Sequence, residues 1–447
     1  MPTPTLTVKD AWPVWLRIGL LSFGGPAAQI AVMHRELVEQ RRWISEERFL
    51  HALNFCTLLP GPEAQQLATY IGWLLHGTRG GLVAGGLFVL PGALVLWGLS
   101  ALWAVFHSVP LVDALFFGLK AGLLAVVLEA VVRVGKRALQ TRAAVALAMS
   151  AFVALSLFAV PFPAVVGVSA VLGALGLPVR GATARASGNT QPSLIDRLLA
   201  EGALPHTTPN LRRALGLAVT WLGLWALPVV ALWWWRGADD VLTREGIFFS
   251  EAAVVTFGGA YAVLAWVAHQ VVSFGWLTAP QMLDGLGLAE STPGPLILVL
   301  EFAGFGAAFF HPGSLSPLLA GTLGAAVTLW VTFTPCFLWI FVLAPWVEAL
   351  RSNQRLAAAL AAITASVVGV IANLTLFFAL HVVFAKVGVV EFGPLSLPAP
   401  EWGTVEWRAL VVAALAFALV FPFNQGLGRT LVACAVLGAG LKLGFAG

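Results

Sequence analysis

Charge is what this chain has least of: of 447 residues only 10% are Asp, Glu, Lys or Arg, while 59% are apolar. A water-soluble domain carries about 25% charged residues, because its surface must be hydrated. A protein of this size with so few cannot face water all round, so its surface meets lipid. The excess of cations is small, 25 Lys and Arg against 21 Asp and Glu, and they are scattered among loops. Nucleic-acid binding needs a continuous basic face, and none is present. Cysteine is equally scarce. Cys56, Cys336 and Cys434 lie far apart in or beside apolar runs, with no CxxC, no His/Cys cluster and no zinc spacing. They read as small core hydrophobes, and neither a metal nor a cofactor is implied. The N-terminus, MPTPTLTVKDAWPVW, lacks a basic stretch ahead of a short apolar one, so the first apolar segment is expected to stay in the protein.

What is present is long apolar sequence. About 20 apolar residues cross a hydrocarbon core roughly 30 Å thick, and backbone groups there must pair internally, which makes such stretches helices. The expected fold is therefore an all-α polytopic membrane protein of about thirteen segments, near 12–32, 52–76, 80–106, 111–134, 141–159, 161–178, 213–235, 246–272, 281–311, 317–345, 356–385, 408–422 and 428–445. Residues 180–213 are rich in Ser, Thr, Gly, Pro and charge, and read as a polar linker with one short helix near 193–203. The chain then divides into a half 1–179, a linker 180–212 and a half 213–447. Basic residues favour the cytoplasmic side, which selects the loop with Arg133, Lys136, Arg137 and Arg142 and the linker with its five Arg. The stretch 386–406, with Glu391, Glu401 and Glu406, would face out, and Trp233-Trp234-Trp235 suits an interfacial belt. The loop 34–51, with four Arg and four Glu, disagrees with a full-crossing count and is expected to be an amphipathic helix along the interface.

The halves repeat each other. Phe23-Gly24-Gly25-Pro26 matches Phe257-Gly258-Gly259-Ala260; Trp43 and Trp276 follow at spacings of 20 and 19. Pro60-Gly61-Pro62 and Pro293-Gly294-Pro295 each stand 17 residues beyond those tryptophans. Farther on, Pro91 matches Pro335, and LKAGLLAVVLEA (119–130) aligns with ITASVVGVIANL (363–374). Counting every segment as a crossing makes this an inverted repeat; if the Pro-Gly-Pro segments are re-entrant hairpins, six crossings remain and the repeats run parallel. Within an apolar segment each Pro must end an α-helix, and Gly admits the unusual backbone that follows. Freed amides and carbonyls survive at membrane depth only beside protein or a water-filled cavity, and a helix starting after the break offers a partial positive end to an anion. One such motif is better explained by close packing. Matching breaks in duplicated halves favour a transport site.

Few charges lie inside the segments. Lys120 sits near the centre of 111–134, where an ionised Lys costs about 2.5–3.5 kcal/mol on insertion scales and so needs a cavity or a partner. Glu129, nine residues on, faces the opposite side of that helix. Glu63 directly follows the first Pro-Gly-Pro, with Gln65 and Gln66 behind it, and Glu301 lies six residues beyond Pro295. The functional expectation gives Lys120 the anion, and either Glu63 or Glu301 a proton-linked role, since a carboxyl in low dielectric can exchange a proton as a site opens. The bland alternative is that these charges only pair or snorkel. His51, His76 and His269 lie near segment ends and read as interface residues.

In its first half, SFGGPAAQIAVMHRELVEQRRWISEERF and LLPGPEAQQLATYIGWLLHGTRGGLVAGGLFVLPG resemble the hallmark blocks of the chromate transporter family, long-chain two-domain form. In the second, TFGGAYAVLAWVAHQ, GWLTAPQMLDGLGLAESTPGPLILV and the Phe-Thr-Pro segment are similar to that family's C-terminal domain. The resemblance covers nearly all of the chain outside the linker and the extreme ends. It implies efflux of chromate from the bacterial cytoplasm across the inner membrane, driven by membrane energy, with sulfate as the natural competitor; the sequence leaves the oligomeric state open, a homodimer being one assembly. Carried over residue by residue, it implies a substrate site of Gly24, Gly25, Pro26, Pro60, Gly61, Pro62, Lys120, Gly258, Gly259, Pro293, Gly294 and Pro295; Glu63 and Gln66 are added from their place beside the first break. Thr57 departs from the Gln expected in many members. A membrane reductase would need an electron carrier, and neither a haem CxxCH nor a dinucleotide loop occurs. A transporter, not an enzyme, is the expectation; a purely structural subunit would not need buried charges and paired breaks.

Overall fold

A computed structural model describes residues 6–23, 25–179, 193–257, 260–347, 354–393, 395–423 and 425–444. The first half contains α1 (Val8–Leu21), α2 (Gly25–His34), α3 (Glu46–Cys56), α4 (Glu63–Phe106), α5 (Pro110–Ala138), α6 (Arg142–Phe158) and α7 (Phe162–Ala174). The linker contains α8 (Leu194–Ala200), and the second half opens with α9 (Leu211–Arg236). The second half contains α10 (Val241–Val255), α11 (Ala260–Ser273), α12 (Ala279–Ser291), α13 (Val299–Phe310), α14 (Pro317–Leu343) and α15 (Gln354–Val383). A hairpin of β1 (Val387–Phe392) and β2 (Leu395–Pro400) follows, then α16 (Trp407–Val420) and α17 (Leu427–Gly444). Six helices among the described residues are long and apolar enough to cross a membrane, and shorter apolar helices lie in the expected segments 141–159, 161–178, 246–272, 281–311 and 408–422. The protein is a multi-pass α-helical membrane protein.

Three differences from the expected pattern have physical causes. Segments 12–32 and 246–272 are broken as well: α1 stops at Leu21 before α2 starts at Gly25 (φ +80°), and α10 stops at Val255 before α11 starts at Ala260. Gly25 takes its positive φ at little steric cost, and Pro26 follows it in the first turn of α2. Segments 52–76 and 80–106 instead join as α4, bent where His76 and Gly77 leave helical geometry (φ −138° and +62°). The Nε2 of His206 bonds the Trp73 carbonyl that this bend exposes, at 2.8 Å. The acidic stretch 386–406 contains an antiparallel hairpin, with Val387 opposite Pro400 and Phe392 opposite Leu395, set in the connection between two helices of the all-α fold.

The loop 34–51 is not one amphipathic helix. A π-helical turn, Arg35–Gln40, continues α2, and α3 begins only at Glu46. The turn carries Glu36 into full burial, where Arg17 (3.4 Å) and Arg41 neutralise it. The linker helix docks on this segment. Amides of Leu194 and Ile195 donate to the Arg42 and Trp43 carbonyls at 3.1 and 3.0 Å, and Ile195 joins the buried core around Trp15, Phe49 and Phe55.

Asp196 fixes that dock by closing a capping box with Ser193 and by accepting from Arg48 Nε at 2.8 Å. Burial opposes its ionised form, but hydrogen bonds from Ser193, Arg48 and Ser45 outweigh it and hold the carboxyl down to about 2. A depressed carboxylate stabilises the fold above its unfolded value near 3.9, and loses that contribution as the pH falls through about 2. Asp196→Asn is therefore expected to speed tryptic cleavage after Arg197 several-fold at neutral pH, with membrane insertion unchanged.

By contact, the chain packs as two units that each draw on both halves: Met1–Gly98, Ala182–Ala260 and Thr292–Gln354 form one, and Leu99–Gly181, Tyr261–Ser291 and Arg355–Gly447 the other. The sequence duplication and the packing divide the chain differently. In the first unit α10, α13 and α14 pack closely; a Cβ on Gly304 would lie 2.1 Å from Thr328 Oγ1. In the second, α5 carries α16 and α17. A Cβ on Gly118 would stand 2.1 Å from the Cys434 carbonyl, and one on Gly438 2.2 Å from Gly118 Cα. Small residues four apart let backbones meet where lipid offers no hydrophobic drive. Gly118→Leu is expected to abolish recovery of monodisperse protein, while Gly440→Leu, at a position with no atom within 4 Å, leaves it intact.

Candidate functional site

Four helix interruptions come together in the first unit. The sequence makes them in pairs, one of each pair at a Phe-Gly-Gly turn and one at Pro-Gly-Pro. Ser22 and Thr256, immediately before the two Phe-Gly-Gly turns, are both fully buried. Each bends its hydroxyl back to the carbonyl four residues earlier, Ile18 at 2.6 Å and Ala252 at 2.5 Å. Their own carbonyls are then left without a helical donor, because the helix has ended.

Those carbonyls are taken by the opposite repeat. The Gly294 amide donates to Ser22 O at 2.8 Å, and the Gly61 amide donates to Thr256 O at 2.7 Å. Both glycines adopt positive φ, +95° and +121°, which directs the amide outward at little steric cost. The neighbours are exchanged in the same sense. Gly294 lies against Gly92, just after Pro91 of α4, and Gly61 lies against Cys336, just after Pro335 of α14. Each Pro-Gly-Pro is thus seated on the other half of the duplication, in the self-complementary manner of a two-fold contact.

Side-chain amides complete the crossing, and only the first half supplies them. Gln29 Nε2 donates to Gly294 O at 2.7 Å, and Gln66 Nε2 donates to Pro60 O at 2.7 Å. The matching positions of the second half are Val263 and Val299. Gln65 Nε2 bonds Thr69 Oγ1 at 3.0 Å. All three glutamines are buried, and their Oε1 atoms have no hydrogen-bond partner among the described residues. Beside them α4 begins at Glu63, so that the Ala64 and Gln65 amides have no partner within the helix. The arrangement is a polar crossing inside an apolar unit.

Of the residues singled out in the sequence, Pro60, Gly61, Pro62, Glu63, Gln66, Pro293, Gly294 and Pro295 all belong to this unit, with Gly25 and Pro26 at the start of α2. Gly24, Gly258 and Gly259 lie outside the described residues. Glu301, on α13, is buried, and neither carboxyl oxygen has a hydrogen-bond partner among the described residues. Lys120 belongs to the other unit, where its ammonium stands 3.2 Å from Asp284 of α12. Glu129 pairs with Arg133 at 3.3 Å, one turn along the same helix. Near segment ends, His76 Nε2 bonds the Leu6 carbonyl at 2.8 Å and His269 stacks on Phe377. Ser22, Thr256, Gln29 and Gly92 were not singled out in the sequence. A Ser or Thr just before both Phe-Gly-Gly turns was the available signal.

The family model described as chromate transporter matches residues 10–174 and 245–441. The unmatched interval holds the linker with α8 and α9, and the matched blocks hold both sets of breaks. The chain is 32% identical over 437 residues to the chromate transport protein of Pseudomonas aeruginosa, covering 95% of this chain and 94% of that one. It is 28% identical over 389 residues to the chromate transport protein of Cupriavidus metallidurans, covering 87% and 85%. To a probable chromate transport protein of Synechococcus elongatus it is 27% identical over 374 residues, covering 83% and 84%. No solved structure matches the chain. With both halves of the duplication matched and one relative similar along nearly its whole length, the chain belongs to the chromate transporter family.

Proposed function

We propose that this protein exports chromate from the cytoplasm across the bacterial inner membrane, as a secondary transporter working by alternating access of inverted halves. The observation that carries this is the reciprocal bonding of the four breaks, Gly294 to Ser22 and Gly61 to Thr256. It holds interrupted backbone in a buried place, where only protein or a solvated cavity can satisfy it. Because the two glycine amides are used in the crossing, the anion's donors are the first-turn amides of α4 at Ala64 and Gln65, with Gln66 and Gln65 beside them. The helix's positive end favours a dianion there.

Glu63, in that first turn, sets the switch. Ionised, it takes the positive helix end for itself; protonated, it yields the place to the oxyanion. Glu301 is the other candidate for the coupling proton, being buried on α13 with no hydrogen-bond partner among the described residues. Sulfate, also a tetrahedral dianion, fits the same donors and is the second substrate this site supports. The test is radiolabelled chromate flux into proteoliposomes of the purified protein, with sulfate competing, with and without a pH gradient. Saturable chromate flux that responds to the gradient is expected. Strong sulfate flux with no chromate flux would transfer the function to sulfate; neither flux would end the proposal.

A further inference from the structure

Lys120, half-buried, and Asp284, buried, form an ion pair that the broken-helix site does not use. Their side chains are 17% and 9% exposed, and the Trp103 indole N–H donates to the second carboxylate oxygen at 3.3 Å. Around them the α5–α12 contact is apolar: a Cβ on Gly287 would meet Leu123 at 3.4 Å and Leu119 at 3.8 Å. Such a pair is stable only while both charges are present, because removing one leaves the other buried and uncompensated. The charged groups facing Asp284 are Lys120 and Asp113, both from α5, and Trp103 of α4 is its neutral donor.

Asp113 stands seven residues before Lys120, within about 20° of the same helix face. It pairs with Lys442 at 2.6 Å, and its side chain is 45% exposed. Thus one face of α5 carries ionisable groups from an open end inward to this pair. Ionisable residues set in this way within membrane segments mark ion or proton routes.

We propose that Asp284 is a proton site controlling Lys120, and that Lys120 becomes an oxyanion station only while Asp284 is protonated. This rests on the oxyanion reading above. The proton enters from water past Asp113 and is held on a carboxylate oxygen of Asp284, which then no longer neutralises the ammonium. Lys120, still charged and still half-buried, takes a dianion as its new counter-ion. Proton and anion are therefore bound together in the second unit. By linkage each strengthens the binding of the other by the same factor.

The experiment is calorimetric titration with sulfate, a dianion throughout the range used, at pH 6 and pH 8, on purified full-length protein that carries Glu63→Gln throughout so that the first site does not titrate, and that is otherwise unaltered or further varied. In the otherwise unaltered protein, affinity is expected to fall about tenfold or more across that interval. Asp284→Asn mimics the protonated carboxyl, and its sulfate affinity is expected to be equal at both pH values within about twofold. Lys120→Met/Asp284→Asn removes both charges and so preserves packing even if the single variant fails to fold. It is expected to bind sulfate at least about tenfold more weakly, with no pH dependence. Unaltered pH dependence in either variant, or full affinity in the double variant, overturns the proposal and leaves the broken-helix site standing. Absence of binding of both sulfate and chromate to the unaltered protein overturns the oxyanion reading itself, and this inference with it.

Discussion

Gly92→Ala is expected to lower chromate flux on the order of 100-fold, the loss associated with about 1 Å of misplacement in a positioned site. A Cβ at this position would stand 2.1 Å from the Pro293 carbonyl oxygen and 2.8 Å from Leu298 Cδ1. The first contact is backbone and cannot rotate away. Pro293 is flanked by Gly294, whose amide is tied to Ser22 and whose carbonyl is tied to Gln29. Either the crossing opens or α4 moves out, and overpacking of that kind costs about 1–3 kcal/mol or more. Gly86→Ala is the internal control. It lies on the same helix with no atom within 4 Å, so the added methyl is expected to leave flux unchanged and stability slightly raised. Flux in proteoliposomes, with thermal unfolding followed in parallel, checks both. Normal flux through Gly92→Ala would show that the seating of the second Pro-Gly-Pro has no part in transport.

The same crossing shows what could be read from sequence. Apolar length alone located most of the helices, because the bilayer imposes helices of fixed minimum length. Proline marked the breaks at 60–62 and 293–295, since its ring forbids the next helical turn. The breaks before Gly25 and Ala260 were harder to see. In the first repeat Pro26 follows Phe-Gly-Gly, and its ring would meet the Ser22 carbonyl in a continuous helix; in the second Ala260 stands there, and the Thr256 carbonyl is taken by Gly61, far away in the chain. No local rule contains that information. The hairpin at 387–400 escaped for a related reason: its alternation is interrupted by Pro394, Pro398 and Pro400, which read as loop.

Lys120 was legible as a problem and not as an answer. Its burial cost predicted a cavity or a partner, and the partner, Asp284, lies 164 positions away on α12 between glycines and leucines. The duplication could not reveal it either, because repeat spacing puts His51 at the position matching Asp284, and Thr364 at that matching Lys120. Pairing across the chain in a membrane protein follows from which helices touch, and that is set by small-residue contacts such as Gly118 with Cys434 and Gly438. The inequality of the halves is itself informative. The crossing is symmetric in its backbone bonds and asymmetric in Gln29, Gln66 and Glu301, so the fold uses the two-fold relation and the chemistry departs from it.

Glu301 offers the second large effect. It replaces what would be Ala68 by repeat spacing, on a helix otherwise made of Val, Leu, Phe, Ala and Gly. A lone ionised carboxylate in such surroundings costs several kcal/mol, and no hydrogen bond among the described residues offsets it. A group that served packing alone would be better replaced. Glu301→Leu is accordingly expected to raise stability by about 1–4 kcal/mol, seen as a higher Tm, while removing accumulation of chromate driven by a pH gradient. Glu301→Gln keeps the shape and is expected to retain downhill exchange without the response to the gradient. Glu63→Gln, measured beside it, tells which carboxyl carries the coupling: the one whose loss uncouples flux from protons is the carrier. If both variants keep the gradient response, the coupling proton leaves the first unit altogether, and Asp284 beside Lys120 becomes the group to examine.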